Sequence, residues 1–375
     1  MPTLTWLTRE EDLKAAGHAP YRLLEPVETF GDPSTENMLI QGDNLEALKA
    51  LLPYYAGKVK CIYIDPPFNT GQAFEHYDDN LENTIWLSIL YPRLELLREL
   101  LSEDGAIFIH IDDEQLSYLT VIADEIFGRS NRINTITFKQ GSATGHKSIN
   151  QKLVTTTNFI ISYSKSKDKW NPNKQYTSKP RDLRYNQFIV NFDAPYAAWQ
   201  TIPLSQAFAK SVKIATKVVK KQLGDQYESM IYEFVIQNAE RVIRTARPDY
   251  EKVGNLVKLA IDESKTDKDN VLLFKRNDDP DMYFKNGERI LFYKDKLKVV
   301  DGVVVSGEPL TNLWDDILSN NLHNEGGVKF PKGKKPEFLL KRIIELQTQK
   351  GDIVLDSFLG SGTTAAVAGP VTKTV

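Results

Sequence analysis

The chain has 375 residues, 41% hydrophobic and 26% charged, with a formal net charge of −3 and one cysteine, Cys61. Those values describe a globular protein with room for one large or two ordinary domains, and exclude a disordered chain, an internal disulfide and a multi-cysteine zinc site. No apolar run reaches membrane-spanning length and the opening MPTLTWLTREEDLKAAG is too charged for a signal peptide, so a cytoplasmic protein with no membrane partner is expected.

Residues 1–36 read as an N-terminal extension. NMLI (37–40) then reads as a short strand, followed by DNLEALKALLPYY with apolar residues at helical spacing and Asp43 or Asn44 as its cap. VKCIYI is continuous and β-branched, as in a buried parallel strand. NTIWLSILYPRLELLRELL is a periodic helix that Pro92 is expected to kink or shift. GAIFIHID is another buried strand, EQLSYLTVIADEIFG a helix ending at Gly128, and INTITF a strand. Strands separated by helices imply an α/β sheet with helices on both faces, whose ligands sit beyond the carboxyl ends of the strands.

From about 140 to 325 the pattern changes. KQGSATGHKSINQKL is polar and reads as a loop. AFAKSVKIATKVVKKQLG (207–224) reads as one amphipathic helix with Lys210, Lys213, Lys217 and Lys220 on a shared face, and YESMIYEFVIQNAERVIRTARPD as a second, with Arg241 and Arg244 near its end. ERILFYKDKLKVVDGVVVSG reads as a hairpin around Asp301-Gly302. Charge is uneven along the chain: residues 1–130 carry 9 Lys and Arg against 23 Asp and Glu, residues 131–224 carry 16 against 3, and the rest 22 against 24. The basic middle segment implies a surface for a polyanion; a solvated, loop-rich face is the competing reading. The α/β pattern then resumes with KPEFLLKRIIELQ as a helix, DIVLDSF as a strand and LGSGTTAAVA as a glycine turn entering a helix. The expected division is therefore 1–36, 37–140, 141–325 and 326–375, with 141–325 inserted into an α/β core.

Two motifs carry chemistry. CIYIDPPFNTG (61–71) runs a strand into Asp65, two prolines and Phe68. Prolines end the ladder and stiffen the turn after it, so a rigid carboxylate stands beside an aromatic ring. LDSFLGSGTT (355–364) sets Asp356 at a strand end before Gly360 and Gly362, where small residues let backbone approach a ligand and a helix start adds donors. Tight strand–helix packing explains the glycines equally well. GSATGHKS lacks the spacing of a phosphate loop, and the five histidines show no metal-binding pairing, so no metal is expected.

DPPFNTG followed at a distance by DSFLGSGTT resembles the amino-methyltransferases of DNA, in the permuted order of their β group. MLIQGDNLEALKAL, NLWDDI and KPEFLLKRII are similar to the modification subunits of type III restriction systems. The resemblance covers most of 37–165 and 310–366. It implies a Rossmann-like sheet with a target-recognition region inserted, S-adenosylmethionine as cofactor, double-stranded DNA as partner, and a homodimer or a helicase-nuclease restriction subunit as further partners. The implied catalytic set is Asp65, Pro66, Pro67 and Phe68. The implied cofactor set is Asp356, Phe358, Gly360, Gly362 and Thr363, with Asp43 either near the cofactor or merely a helix cap. Lys147, Lys210, Lys213, Lys217 and Lys220 are the implied phosphate contacts. Aspartate at the first motif position implies adenine N6 rather than cytosine N4. In relatives a further strand comes after the glycine-loop helix; here Gly369-Pro370 ends that helix early, so the chain reads as a shortened subunit with weakened cofactor binding and no following strand, a catalytically impaired DNA-binding remnant or a specificity subunit being the rival reading.

Overall fold

The computed structural model describes residues 2–69, 82–141, 153–277, 279–317, 322, 325, 330, 333–369 and 373–374. The chain divides into two compact units, Met1–Lys174 with Thr311–Val375, and Gln175–Leu310. The expected divisions at 140 and 325 lie inside the first unit's residues.

The first unit is built on a seven-stranded sheet. Its strands are β1 (Val59–Ile64), β2 (Leu101–Ile111), β3 (Arg132–Lys139), β4 (Thr157–Ser164), β14 (Leu313–Trp314), β15 (Ile353–Leu355) and β16 (Lys373–Thr374), in the order β14-β3-β4-β2-β1-β15-β16. All neighbouring pairs are parallel except those made by β4, which runs antiparallel to β2 and β3. β1 is buried along nearly its whole length, as its unbroken apolar run predicts. Side chains alternate faces along a strand. Ile62, Ile64, Ile107, Ile109 and Ile111 pack into one core with Leu90, Leu94 and Leu97 of α3 (Asn83–Leu100) and with residues of α1 (Arg9–His18), α2 (Asn44–Tyr55) and α4 (Asp113–Ala123). The intervening residues face the other way, where α9 (Glu337–Gln347) packs on β1 and β2 and α10 (Thr363–Ala368) packs on α9. Helices therefore cover both faces, as expected.

Elsewhere the fold departs from expectation. Residues 37–40 form no strand: Met38 and Ile40 pack on the core without joining a ladder. α3 runs through Pro92. The N-terminal extension is no loose tail, because Trp6 beside α1 is buried and its indole donates to Asp12 at 2.6 Å. The expected absence of a strand after the glycine loop also fails: Lys373 and Thr374 pair with Ile353 and Val354.

The second unit holds a six-stranded antiparallel sheet, order β7-β6-β8-β11-β10-β9, made of β6 (Gln187–Ile189), β7 (Thr201–Pro203), β8 (Val242–Ala246), β9 (Leu272–Phe274), β10 (Met282–Lys285) and β11 (Glu288–Phe292). A three-stranded sheet joins β5 (Tyr176–Ser178), β12 (Leu297–Val300) and β13 (Val303–Pro309), and the β12–β13 hairpin turns at Asp301 and Gly302, φ 49° and 77°, as its Asp-Gly signal predicts. The long basic helix does not form. α5 (Leu204–Ser211) stops at Lys213, which adopts φ 59°, while Ile214 N–H bonds to Ala209 C=O at 3.0 Å and Lys213 N–H to Lys210 C=O at 3.2 Å. That is a Schellman closure made without glycine, so no stop signal shows at this point of the sequence. A short α6 (Val219–Leu223) comes next. The second predicted helix is also split. α7 (Tyr227–Gln237) ends before β8, and Arg244 lies in that strand opposite Leu291 rather than at a helix terminus. α8 (Asn255–Thr266) packs on β9 and β10.

Candidate active site

Parallel pairing sets the carboxyl ends of β2, β1 and β15 side by side. Ile62 is in register with Leu355 and Ile64 with Ile109. Asp65 and Asp356, from opposite ends of the chain, therefore leave adjacent strands at the same edge, where α/β sheets bind ligands.

The DPPF turn is pinned from several sides. Trp86 Nε1 donates to the Pro67 carbonyl at 2.7 Å. Asn69, at φ 56°, donates through its amide to Asn83 Oδ1 at 3.2 Å, and the same oxygen accepts from Gln115. Among the described residues none donates to the Pro66 carbonyl. The Asp65 carboxylate accepts from Lys335 Nζ at 2.5 Å, with side chains 21% and 10% exposed respectively. The same ammonium lies 5.0 Å from the centre of the Phe68 ring.

Phe68 rests 5.6 Å from His110, its ring tilted by 34°. His110 is fully buried where β2 pairs with β4. Asn158 Nδ2 approaches its Nε2 at 3.4 Å and the Tyr63 hydroxyl its Nδ1 at 3.0 Å. With the amide donating to Nε2, Nδ1 carries the hydrogen and donates to Tyr63. Burial, assisted by the Lys335 charge, holds His110 well below the ordinary imidazole range, and burial with the two site carboxylates pushes the Tyr63 hydroxyl up. His110 is thus a neutral support behind the aromatic ring.

Stability should carry the mark of this histidine. His110 binds no proton in the fold but binds one in the unfolded chain below about pH 6.5, so its contribution is complete above that value and is lost as pH falls below it. The expected slope is about 1.4 kcal/mol per pH unit. Urea melts from pH 7 to pH 5 should be flatter by that amount for His110→Phe; equal slopes in both proteins would rule the assignment out.

Asp356 accepts from Phe358 N–H at 2.9 Å and from the Thr364 hydroxyl at 2.6 Å, so it closes the glycine loop on itself. Burial lifts its pKa to about 7, with the Asp65 charge adding to the rise and the two hydrogen bonds and Lys335 opposing it. Gly360 and Gly362 both adopt left-handed φ, 54° and 78°, and a Cβ at Gly362 would meet no atom within 4 Å. Backbone conformation, not crowding, is what calls for glycine there. Ser357 Oγ is buried with no hydrogen-bond partner among the described residues, while its carbonyl accepts from Asn44 at 2.8 Å. Phe358 packs partly buried on the core, and Thr363 lies buried with its hydroxyl 2.9 Å from that of Ser361.

Asp43 caps α2, accepting from Leu45 and Glu46 N–H at 2.9 and 3.2 Å, and pairs with Arg93 at 3.1 Å, so the cap role is the observed one. Lys147 lies outside the described residues. Lys210, Lys213, Lys217 and Lys220 lie on the surface, but the break at Lys213 distributes them over two helices and a turn. The basic stretch 131–224 is itself divided between the two units. The second unit also has its own concavity of about 290 Å³, with Ile189, Trp199 and Ile243 beside Gln187, Thr245 and Lys285.

Sequence reasoning missed Lys335, His110, Asn158 and Trp86 as parts of the site. Two of these left a trace: a histidine interrupts the apolar run GAIFIHI, and a lysine immediately precedes the proline that opens α9.

A family model described as DNA methylase, of N6/N4 type, matches residues 59–371. The chain is 33% identical to the "Probable type III restriction-modification enzyme HindVI Mod subunit" of Haemophilus influenzae, over 90% of this chain and 47% of that protein. It is 27% identical to the type III restriction-modification enzyme EcoP15I Mod subunit of Escherichia coli, over 97% of this chain and 61% of that one. The chain thus spans about half to three fifths of the length of these relatives. Among solved structures, the PvuII cytosine-N4-specific DNA methyltransferase aligns at a TM-score of 0.38 and 13% identity, over 88% of this chain and 77% of that chain.

Proposed function

This chain belongs to the DNA methylase family, and from that premise we propose that it transfers a methyl group from S-adenosylmethionine to the N6 amine of a flipped-out adenine in double-stranded DNA, as the modification subunit of a type III restriction-modification system. The observation that carries this reading is the juxtaposition of the Asp65–Phe68 turn with the Asp356–Thr363 loop at one sheet edge.

The residues present fit such a cofactor. A buried carboxylate at Asp356 next to Asp65 favours a ligand bearing positive charge, Ser357 Oγ is a buried polar atom without a partner among the described residues, and the left-handed glycines open the loop backbone. Asp356, Phe358, Gly360, Gly362 and Thr363 would hold it. When bound, S-adenosylmethionine supplies an electrophilic methyl group on a sulfonium.

The chain's own groups act on the base. The amine nitrogen of adenine is a weak nucleophile because its lone pair is delocalised into the ring. Asp65 accepts one amine hydrogen and the Pro66 carbonyl the other, drawing the nitrogen toward a tetrahedral shape. The Trp86 indole already donates to the Pro67 carbonyl, which supports Pro66 rather than Pro67 in this role. Phe68 offers a face for the base, which must leave the duplex to reach the pocket. Asp65 then takes the amine proton, directly or through water. The second unit supplies target recognition, with Lys210, Lys213, Lys217 and Lys220 on its surface as phosphate contacts. A restriction subunit and a second copy of the chain are the further partners this reading implies.

Expression in a methylation-deficient host, with nucleosides of its DNA quantified by mass spectrometry, tests the proposal. N6-methyladenine is the expected product. N4-methylcytosine in its place would overturn the choice of base, and neither product would favour a DNA-binding remnant.

A further inference from the structure

Lys335 has no place in the site as the sequence presents it, yet its ammonium sits between the two groups that would touch the base. Nζ lies 2.5 Å from Asp65 Oδ2 and 5.0 Å from the centre of the Phe68 ring, with the Gly333 carbonyl at 3.5 Å. Its backbone is fixed. Pro336 caps α9, and Leu339 and Leu340 of that helix are fully buried, so a residue one position before the cap starts from a helix packed on β1 and β2. A buried ion pair adds little to stability compared with apolar residues of the same volume, because desolvating the charges offsets their attraction. Its value lies in placement. An ammonium on a flexible stem also fits here as a compact point charge, where the planar fork of arginine would require a different geometry.

Resting on the methyl-transfer reading, we propose that Lys335 is a positioning residue, whose ammonium clamps Asp65 Oδ2 and the Phe68 ring and so fixes the plane in which the carboxylate meets the amine of the base. Among the described residues, the charged and titratable groups coupled to it or to Asp65 are Asp65 beyond β1, Asp356 beyond β15, His110 on β2 and Tyr63 on β1. Removing the ammonium takes away the cation that opposes the mutual repulsion of the Asp65 and Asp356 charges.

The test compares wild type, Lys335→Met, Lys335→Arg and the Asp65→Asn/Lys335→Met double variant on unmethylated genomic DNA, with tritiated cofactor. Lys335→Met is expected to lower kcat about a hundredfold, the scale of a misplaced reacting group, while KM values stay within about threefold. The acid limb of its pH–rate profile should move up by about one pH unit, since Asp65 protonates more readily without the cation. Lys335→Arg should return that limb and recover only part of kcat. In the Asp65→Asn background the methionine substitution should add less than about threefold, because the effect runs through Asp65. A readout independent of turnover is the thermal midpoint, which for Lys335→Met should fall relative to wild type between pH 6 and pH 8. Wild-type kcat with an unmoved acid limb in Lys335→Met, or a full hundredfold loss on top of Asp65→Asn, would overturn the proposal. If Lys335→Met does not fold, wild-type kcat in Lys335→Arg overturns it. An inactive wild type would sink the methyl-transfer reading instead, and the melting comparison would still decide whether Lys335 and Asp65 are coupled.

Discussion

Asp65→Asn should reduce methyl transfer to DNA by at least about a thousandfold in kcat, the upper range for removing one preorganised polar contact. The substitution is nearly isosteric and its amide oxygen can still accept from Lys335 Nζ, so the fold should survive with a thermal midpoint close to wild type. What changes is the second position of the group. An amide nitrogen presents hydrogens where the carboxylate presented lone pairs, and two donors then face each other at the amine of the base. Asp65→Ala should lose as much activity for a different reason and should also lose stability, because it removes the side-chain oxygen to which the buried Lys335 ammonium donates. Single-turnover kinetics with saturating cofactor separates the two effects. Cofactor binding measured by calorimetry should change by less than about threefold in Asp65→Asn. An Asp65→Asn protein that methylates within tenfold of wild type would show that this carboxylate neither orients the amine nor takes its proton.

The part of this site that was legible in the sequence is the part carried by local rules. A β-branched run ending in Asp-Pro-Pro and a strand ending before Gly-x-Gly each declare a strand end, and parallel pairing does the rest by bringing Asp65 and Asp356 to one edge. What stayed hidden depends on contacts made far along the chain. Asn158 reaches His110 only because β4 runs antiparallel beside β2, and Lys335 reaches Asp65 only because α9 packs on β1 and β2. Neither contact has a periodicity to read. The basic helix failed for a more local reason. Its lysine and apolar spacing matched a helical face through residue 224, but Lys213 takes the left-handed conformation usually left to glycine, and the Schellman closure cuts the pattern in two. Likewise VIRTA pairs with Glu288–Phe292 as a strand although only a few residues separate it from a helix, because its β-branched residues pack better on a sheet than on a helix end. Hydrophobic period alone does not detect either break.

Cofactor binding should depend on pH through Asp356. Its carboxyl titrates at about 7, chiefly because it is buried, and the Asp65 charge adds to the cost of ionising it. A ligand carrying a sulfonium and an ammonium favours the ionised form, so binding lowers this pKa and displaces a proton. Above pH 7 the carboxylate is already ionised and affinity is level; below pH 7 each unit of acid should weaken binding about tenfold, until the lower pKa of the bound state is reached. The same group makes the unliganded protein less stable as pH rises from about 4 to 7, since the folded state holds a proton that the unfolded chain has released. Asp356→Asn keeps an oxygen for Phe358 N–H but turns an amide toward the Thr364 hydroxyl, which must then accept instead of donating, so the loop exchanges a charge-assisted bond of 2.6 Å for a neutral one. Its affinity for S-adenosylmethionine should fall about a hundredfold at pH 8 and lose its dependence on pH between 5 and 7, because the group that released the proton is gone. Titration calorimetry in buffers of different ionisation enthalpy measures both quantities, and wild type should release close to one proton per cofactor bound at pH 6. A wild-type Kd that is flat from pH 5 to pH 8, with no proton released, would mean that Asp356 only closes the glycine loop and that the cofactor's charge is met elsewhere.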